Sequence, residues 1–160
     1  ERIKKMTETT IELASLKKRL GAANIDVLIA FSILIAIAMI TGFWDNVIPR
    51  LLRGILPTMN DMLIVFLSGQ VVFLLLNGML LANHGQTIGK RIMKIKIVDL
   101  QGDRVGISKL YFLRYLFFSL VSQVPQVGGL IGLVDVLFIF GKERRCLHDL
   151  LAGTRVVNVV

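Results

Sequence analysis

From Gly21 to Phe43 the sequence carries one charged side chain, Asp26, in an otherwise apolar run. About 20 such residues cross the ~30 Å hydrocarbon core of a bilayer as a helix. A helix is favoured there because it satisfies every backbone N–H and C=O internally. The run therefore predicts a transmembrane span. It also predicts a partner for Asp26, because an ionised group within a bilayer is expensive and faces the protein interior. Arg19 lies seven residues earlier, about two turns back on the same helix face.

A second uncharged run, Met62–Ala82, predicts another span, with Gln70 and Asn77 sharing a face suited to interhelix hydrogen bonds. Residues 110–140 are apolar apart from Arg114 and Asp135, and Pro125-Gln126-Val127-Gly128-Gly129 interrupts them. Split there, they give two short spans, Leu110–Val124 and Leu130–Phe140. Residues 1–20 read as an amphipathic helix on the membrane surface, with Ile3, Met6, Thr10, Leu13 and Leu20 near one face. Between the spans, the loop at 45–61 predicts a short interfacial helix from Val47 to Leu56, with Trp44 as an anchor and Asp61 as a cap. In the 83–109 loop, Met93 to Ile97 alternates at period two, Leu100 to Asp103 is a turn, and Arg104 to Ile107 returns, which predicts a β-hairpin. Arg155 to Val160 would add a third strand. The expected fold is an all-α four-helix transmembrane bundle, one domain over residues 1–160, with an N-terminal amphipathic helix and a small cytoplasmic-face β-hairpin.

A net charge of +8 raises the question of nucleic acid, but its placement argues against it. Residues 1–20, 83–109 and the tail from Gly141 hold six, six and four Lys/Arg, while the 45–61 loop holds two, balanced by two Asp. Basic residues flanking apolar runs on alternate sides follow the positive-inside rule and place both termini in the cytoplasm. Residues 1–20 are too polar for a cleavable signal. The single cysteine, Cys146, excludes an internal disulfide, and its neighbours Arg144 and Arg145 point to the reducing cytoplasmic side. The expected location is a multi-pass position in a membrane, with both termini on its cytoplasmic side. The expected partners are membrane lipids, further copies of the chain and other membrane proteins, with no nucleic acid.

Three ionisable groups fall inside the predicted spans, Asp26, Arg114 and Asp135, all a short way in from the cytoplasmic end. With Arg19 at the lip they form a candidate cluster of two arginines and two carboxylates. It reads either as an ion, proton or polar-ligand site, or as an ion-pair knot holding short helices together. Gly85 to Lys90 is one residue short of a phosphate-binding loop, Arg91 replaces the required hydroxyl, and the segment follows a membrane helix, so nucleotide is not expected. His84, His148 and Cys146 are too scattered in sequence to imply a metal. No nucleophile–base–orienter set is visible, so neither enzymatic activity nor a cofactor is expected.

The motifs together resemble the RDD family of bacterial integral membrane proteins. The resemblance rests on Arg19-Leu20-x-Ala22-x-x-Ile25-Asp26, on Gly85-Gln86-Thr87-x-Gly89-Lys90-Arg91 followed by Lys96-Ile97-Val98-Asp99, on Arg114-Tyr115, and on Arg144 to Thr154, where His148, Asp149, Gly153 and Thr154 fall, with Val156-Val157 beyond. The family is named for one arginine and two aspartates. Arg19 and Asp26 correspond to two of them, and Asp149 or Asp135 to the third, Asp149 being preferred. The resemblance implies a small-solute or cation/proton transporter. The alternative is a non-transporting module that binds lipid headgroups or partner membrane proteins.

Overall fold

A computed structural model describes residues 12–124, 127–141 and 143–159. Helix α1 (Leu16–Ile40) starts where the Ser15 hydroxyl accepts from the Lys18 N–H. After a left-handed Gly42 the chain forms α2 (Phe43–Leu52), which carries Trp44. Helix α3 (Met59–His84) opens with a reciprocal cap: Thr58 Oγ1 accepts from the Asp61 N–H, and Asp61 accepts from the Thr58 N–H. The same carboxylate takes both of its oxygens to Arg50 on α2, at 2.8 and 2.9 Å. α3 stops at Gly85, whose φ of +63° only glycine adopts cheaply. A Cβ there would also meet the Ile97 carbonyl.

Next come α4 (Ile88–Ile92), β1 (Ile95–Asp99) and a composite helix. The last comprises α5 (Ile107–Lys109), a seven-residue π-helical segment (Leu110–Leu116) and α6 (Phe117–Val121). α7 (Gly128–Leu137) runs into a 3-10 turn (Phe138–Phe140), then come α8 (Leu147–Leu151) and β2 (Thr154–Asn158). Helices α1 and α3, of 25 and 26 residues, have the length and apolar composition to cross a membrane. The composite helix and α7 are shorter.

Two expectations are corrected here. The partner of β1 is not the return segment 104–107 but β2, antiparallel, with Ile95 opposite Asn158 and Asp99 opposite Thr154. The turn forms as expected: the Asp99 carboxylate accepts from the N–H groups of Gln101 and Asp103. The chain then spends Arg104 to Gly106 reaching α5, burying Val105, so no hairpin closes. The amphipathic helix expected over 1–20 falls mostly on residues 1–11, outside the described residues. Its described part does not form one helix: Leu13 bridges Val157, and Ala14 N–H donates to the Val156 carbonyl at 3.0 Å. This stretch covers the free edge of β2 and satisfies backbone groups that a helix would leave unpaired.

The apolar core lies at one end of the molecule. Ala14, Ala22, Leu81, Ile95, Ile97, Leu110 and Val156 pack where the sheet meets α1, α3 and the π-helical segment. Along the long helices the pattern inverts: Leu75 and Met79 are each 79% exposed, and Val27, Leu28 and Phe31 are also largely bare. Arg19, Arg114, Asp135 and Asp149, by contrast, are buried. Apolar side chains outward and charges inward is the reverse of what water selects, and fits a hydrocarbon surround.

Candidate functional site: a buried charge network

Asp149 is the hub. It is wholly buried on α8, and its two oxygens accept from Arg114 Nη1, from Arg19 Nη1 at 3.4 Å, from the Cys146 N–H at 3.2 Å and from Thr154 Oγ1 at 3.2 Å. Arg19 also donates to the Val156 carbonyl at 3.1 Å, and Arg114 to Thr154 Oγ1 at 2.7 Å. The first helix, the π-helical segment, α8 and β2 are therefore tied through one carboxylate. Burial would push the Asp149 carboxyl up, but the charges of Arg114, His148 and Arg19 outweigh it and hold the group below the usual carboxylate range.

Arg145 reinforces the hub from the loop before α8. Its Nε donates to the Thr154 carbonyl and its Nη2 to the Asp149 carbonyl, at 3.0 and 3.2 Å. The Nε atoms of Arg19 and Arg114 are buried and have no hydrogen-bond partner among the described residues.

The four residues expected to form one cluster are divided among three carboxylates. Arg19 and Arg114 share Asp149. Asp135 on α7 instead accepts from the His148 backbone N–H at 2.8 Å and lies 2.6 Å from His148 Nδ1. Asp26 does not pair with Arg19. Two helical turns separate them along the axis, and Arg19 reaches across to Asp149. Asp26 is held by α4: Thr87 Oγ1 donates to it at 2.5 Å, the Gly89 N–H at 2.7 Å, and Lys90 Nζ stands 4.0 Å away.

The 85–91 motif has a physical explanation in this geometry. Gly85 ends α3. Gln86 Nε2 donates to the Ile95 carbonyl at 2.9 Å, fixing β1. Thr87 caps α4 and bonds Asp26. Gly89 lets α4 lie against α1, since any Cβ there would collide with the Ala22 carbonyl and sit 2.9 Å from Asp26 Cγ. Asn77 Oδ1 accepts from the Ile88 N–H, so it serves this loop, while Gln70 bonds Tyr111 and Ser119 on the composite helix. Arg91 is exposed.

The Asp26 and Asp149 sites approach each other through Tyr115. Lys90 Nζ lies 3.3 Å from its hydroxyl, and the Arg114 guanidinium sits 6.0 Å from its ring centre. Beyond the hub, His148 Nε2 faces Asp149 at 3.9 Å. Burial and the Arg114 charge push the His148 imidazole below its ordinary value, against the raising effect of Asp135 and Asp149. Thr87, Lys90, Tyr115, Thr154 and the hub role of Asp149 were not in the sequence-derived cluster. Their signal was their place in the motifs, not their position in the apolar runs.

Burial of this network inside helices that expose apolar surfaces defines a membrane-associated helical protein built around buried Arg/Asp salt bridges. A profile of the RDD family matches residues 13–153, and the chain belongs to that family. It is similar to the uncharacterized protein YckC of Bacillus subtilis (strain 168), 34% identical over 138 residues, which are 86% of this chain and 80% of that protein. It is also similar to the uncharacterized protein YxaI of the same organism, 34% identical over 103 residues, 64% of this chain and 58% of that protein. No solved structure matches it significantly.

Proposed function

We propose that this chain is a multi-pass protein of the bacterial inner membrane that moves a small solute or exchanges a cation for protons, and that it is not an enzyme. Its bundle would have four crossings: α1, α3, the composite helix and α7 with its 3-10 turn. Both termini would lie in the cytoplasm with the basic sheet end. The bare apolar faces of α1 and α3 suit lipid and further copies of the chain.

One observation carries this reading. Of Asp26, Asp135 and Asp149, Asp26 alone has neither an arginine nor a histidine partner among the described residues. Asp149 is saturated by two guanidinium groups and Asp135 by His148, whereas Asp26 meets an amide, a hydroxyl and an ammonium 4.0 Å away. A proton or a hard cation can compete with Lys90 for its oxygens, with Thr87 Oγ1 as a further oxygen ligand. In this reading Asp149 with Arg19 and Arg114 is the fixed part of the site, and Asp26 with Lys90 the exchangeable part.

The test is flux in proteoliposomes made with the purified chain, across several cations and with a pH gradient. Flux that is lost in Asp26→Asn, while thermal unfolding matches the unmodified chain, supports the proposal. A second reading, a non-transporting module for lipid headgroups, is favoured by Arg91, Lys94 and Lys96 falling in the same short stretch of chain as the exposed Ile92 and Leu100. It predicts no flux in any condition, and vesicle binding that falls when those cations are neutralised.

A further inference from the structure

The fold assembles three metal-ligating side chains that sequence spacing kept apart. Asp135 comes from α7, Cys146 from the cap position of α8, and His148 from its second residue. One ligand atom of each, a carboxylate oxygen, the thiol sulfur and an imidazole nitrogen, lies within 4.8 Å of the other two. His84, the other histidine, lies elsewhere, beside Lys96 and Arg104.

We propose that Asp135, Cys146 and His148 bind one borderline divalent transition-metal ion of the zinc class, which staples α7 to α8. The donor set is the first argument. Thiolate, imidazole and carboxylate together select zinc-like ions over magnesium or calcium, which prefer oxygen alone. At bond lengths of about 2.0–2.3 Å, tetrahedral ligand atoms stand roughly 3.2–3.8 Å apart. The cluster reaches that spacing by opening the 2.6 Å Asp135–His148 contact and drawing in the sulfur.

The second argument comes from the other side of the imidazole. A ligating histidine characteristically donates its remaining ring N–H to a carboxylate, which fixes the tautomer. With Nδ1 on the ion, Nε2 carries that proton 3.9 Å from Asp149 Oδ2, so the ring must shift toward Asp149 by about 1 Å to complete the bond. Asp149 is itself anchored by Arg19 and Arg114. Three protein ligands leave a fourth position open. The proton balance is simple: the Cys146 thiol loses its proton as the sulfur–metal bond forms, and the imidazole proton moves from Nδ1 to Nε2. One proton is released per ion bound. The site is independent of Asp26 and of transport.

The test uses the full chain, purified in detergent, stripped with a chelator and titrated with Co2+. Because this chain has one cysteine, a thiolate-to-cobalt charge-transfer band reports Cys146 alone. The expected result is a band that saturates at one equivalent, is displaced by Zn2+, and disappears in Cys146→Ser. Loss of an outer-shell partner typically weakens binding 10–100-fold, so loss of this ligand should weaken Zn2+ binding by about 100-fold or more. Saturating Co2+ with no thiolate band in the unmodified chain overturns the proposal, as does undiminished Zn2+ affinity in Cys146→Ser. The cobalt spectrum of the unmodified chain decides the matter even if a variant fails to fold.

Discussion

Arg19 and Asp149 stand 130 residues apart in sequence and meet 3.4 Å apart in a buried ion pair, which fastens the start of the first helix to the last one. Arg114 takes the other oxygen of the same carboxylate. Asp149→Asn keeps the shape and leaves two buried guanidinium groups without their counter-charge. Breaking a buried pair from one side costs about 3–5 kcal/mol. The expected outcome is a large drop in thermal unfolding temperature in detergent. Replacing Arg19, Arg114 and Asp149 together by apolar residues of similar volume should restore much of it. A single substitution without effect would show that the network carries little of the fold.

Gly89 should tolerate no side chain. Gly89→Ala drives a methyl into the Ala22 carbonyl and the Asp26 carboxylate, so α4 must lift from α1. Overpacking of this kind destabilises by about 1–3 kcal/mol. Gly78→Ala is the control: nothing lies within 4 Å of its added Cβ, and helical Ala is preferred to Gly by roughly 0.5–1 kcal/mol. The unfolding temperatures of the two variants should move in opposite directions.

Stability should fall on acidification in two stages. The His148 imidazole is held below its ordinary value, so between about pH 6.5 and its folded pKa the unfolded chain binds more protons than the folded one. Stability is therefore lost as pH drops through that range. Asp149, held below the carboxylate range, contributes stability that is present above about pH 4 and lost as pH falls through its depressed value. Unfolding temperatures of the chelator-stripped chain measured from about pH 8 to about pH 3 should show both stages, and His148→Gln should remove the first. A flat profile in the unmodified chain from pH 8 to 5 would contradict the burial argument.

The Arg50–Asp61 pair between α2 and α3 should matter much less. Its geometry is good, but Arg50 is partly exposed, and solvent screening leaves pairs of this kind little net worth. Arg50→Ala should lower stability only slightly. Thr58→Ala, which removes the helix cap, should cost about 1 kcal/mol. An Arg50 effect as large as that of Asp149→Asn would mean that the α2–α3 junction is far better shielded than its exposure indicates.

The positions of α1 and α3 are legible in the sequence because an apolar run of that length has few other uses. So is the break before α7. The strand at 95–99 was legible as alternation. Its partner was not, because alternation gives a strand's faces but not its neighbour, and β2 competes equally well with the nearer 104–107 segment. The same limit applied to charge. Helical periodicity suggested Arg19 with Asp26, since those lie on one face. Their axial separation, and the arrival of α4 and α8, gave each a different partner.

Two matters, then, were fixed by sequence: that this chain needs an apolar surround, and that Arg19, Asp26, Arg114 and Asp135 must be shielded or paired. Both follow from local content, because hydrophobic length and buried charge are properties of single segments. Tertiary structure alone decided which charge meets which, where the sheet closes, and that Cys146, His148 and Asp135 come together. Those outcomes depend on contacts between segments up to 130 residues apart, and no periodicity within one segment encodes them.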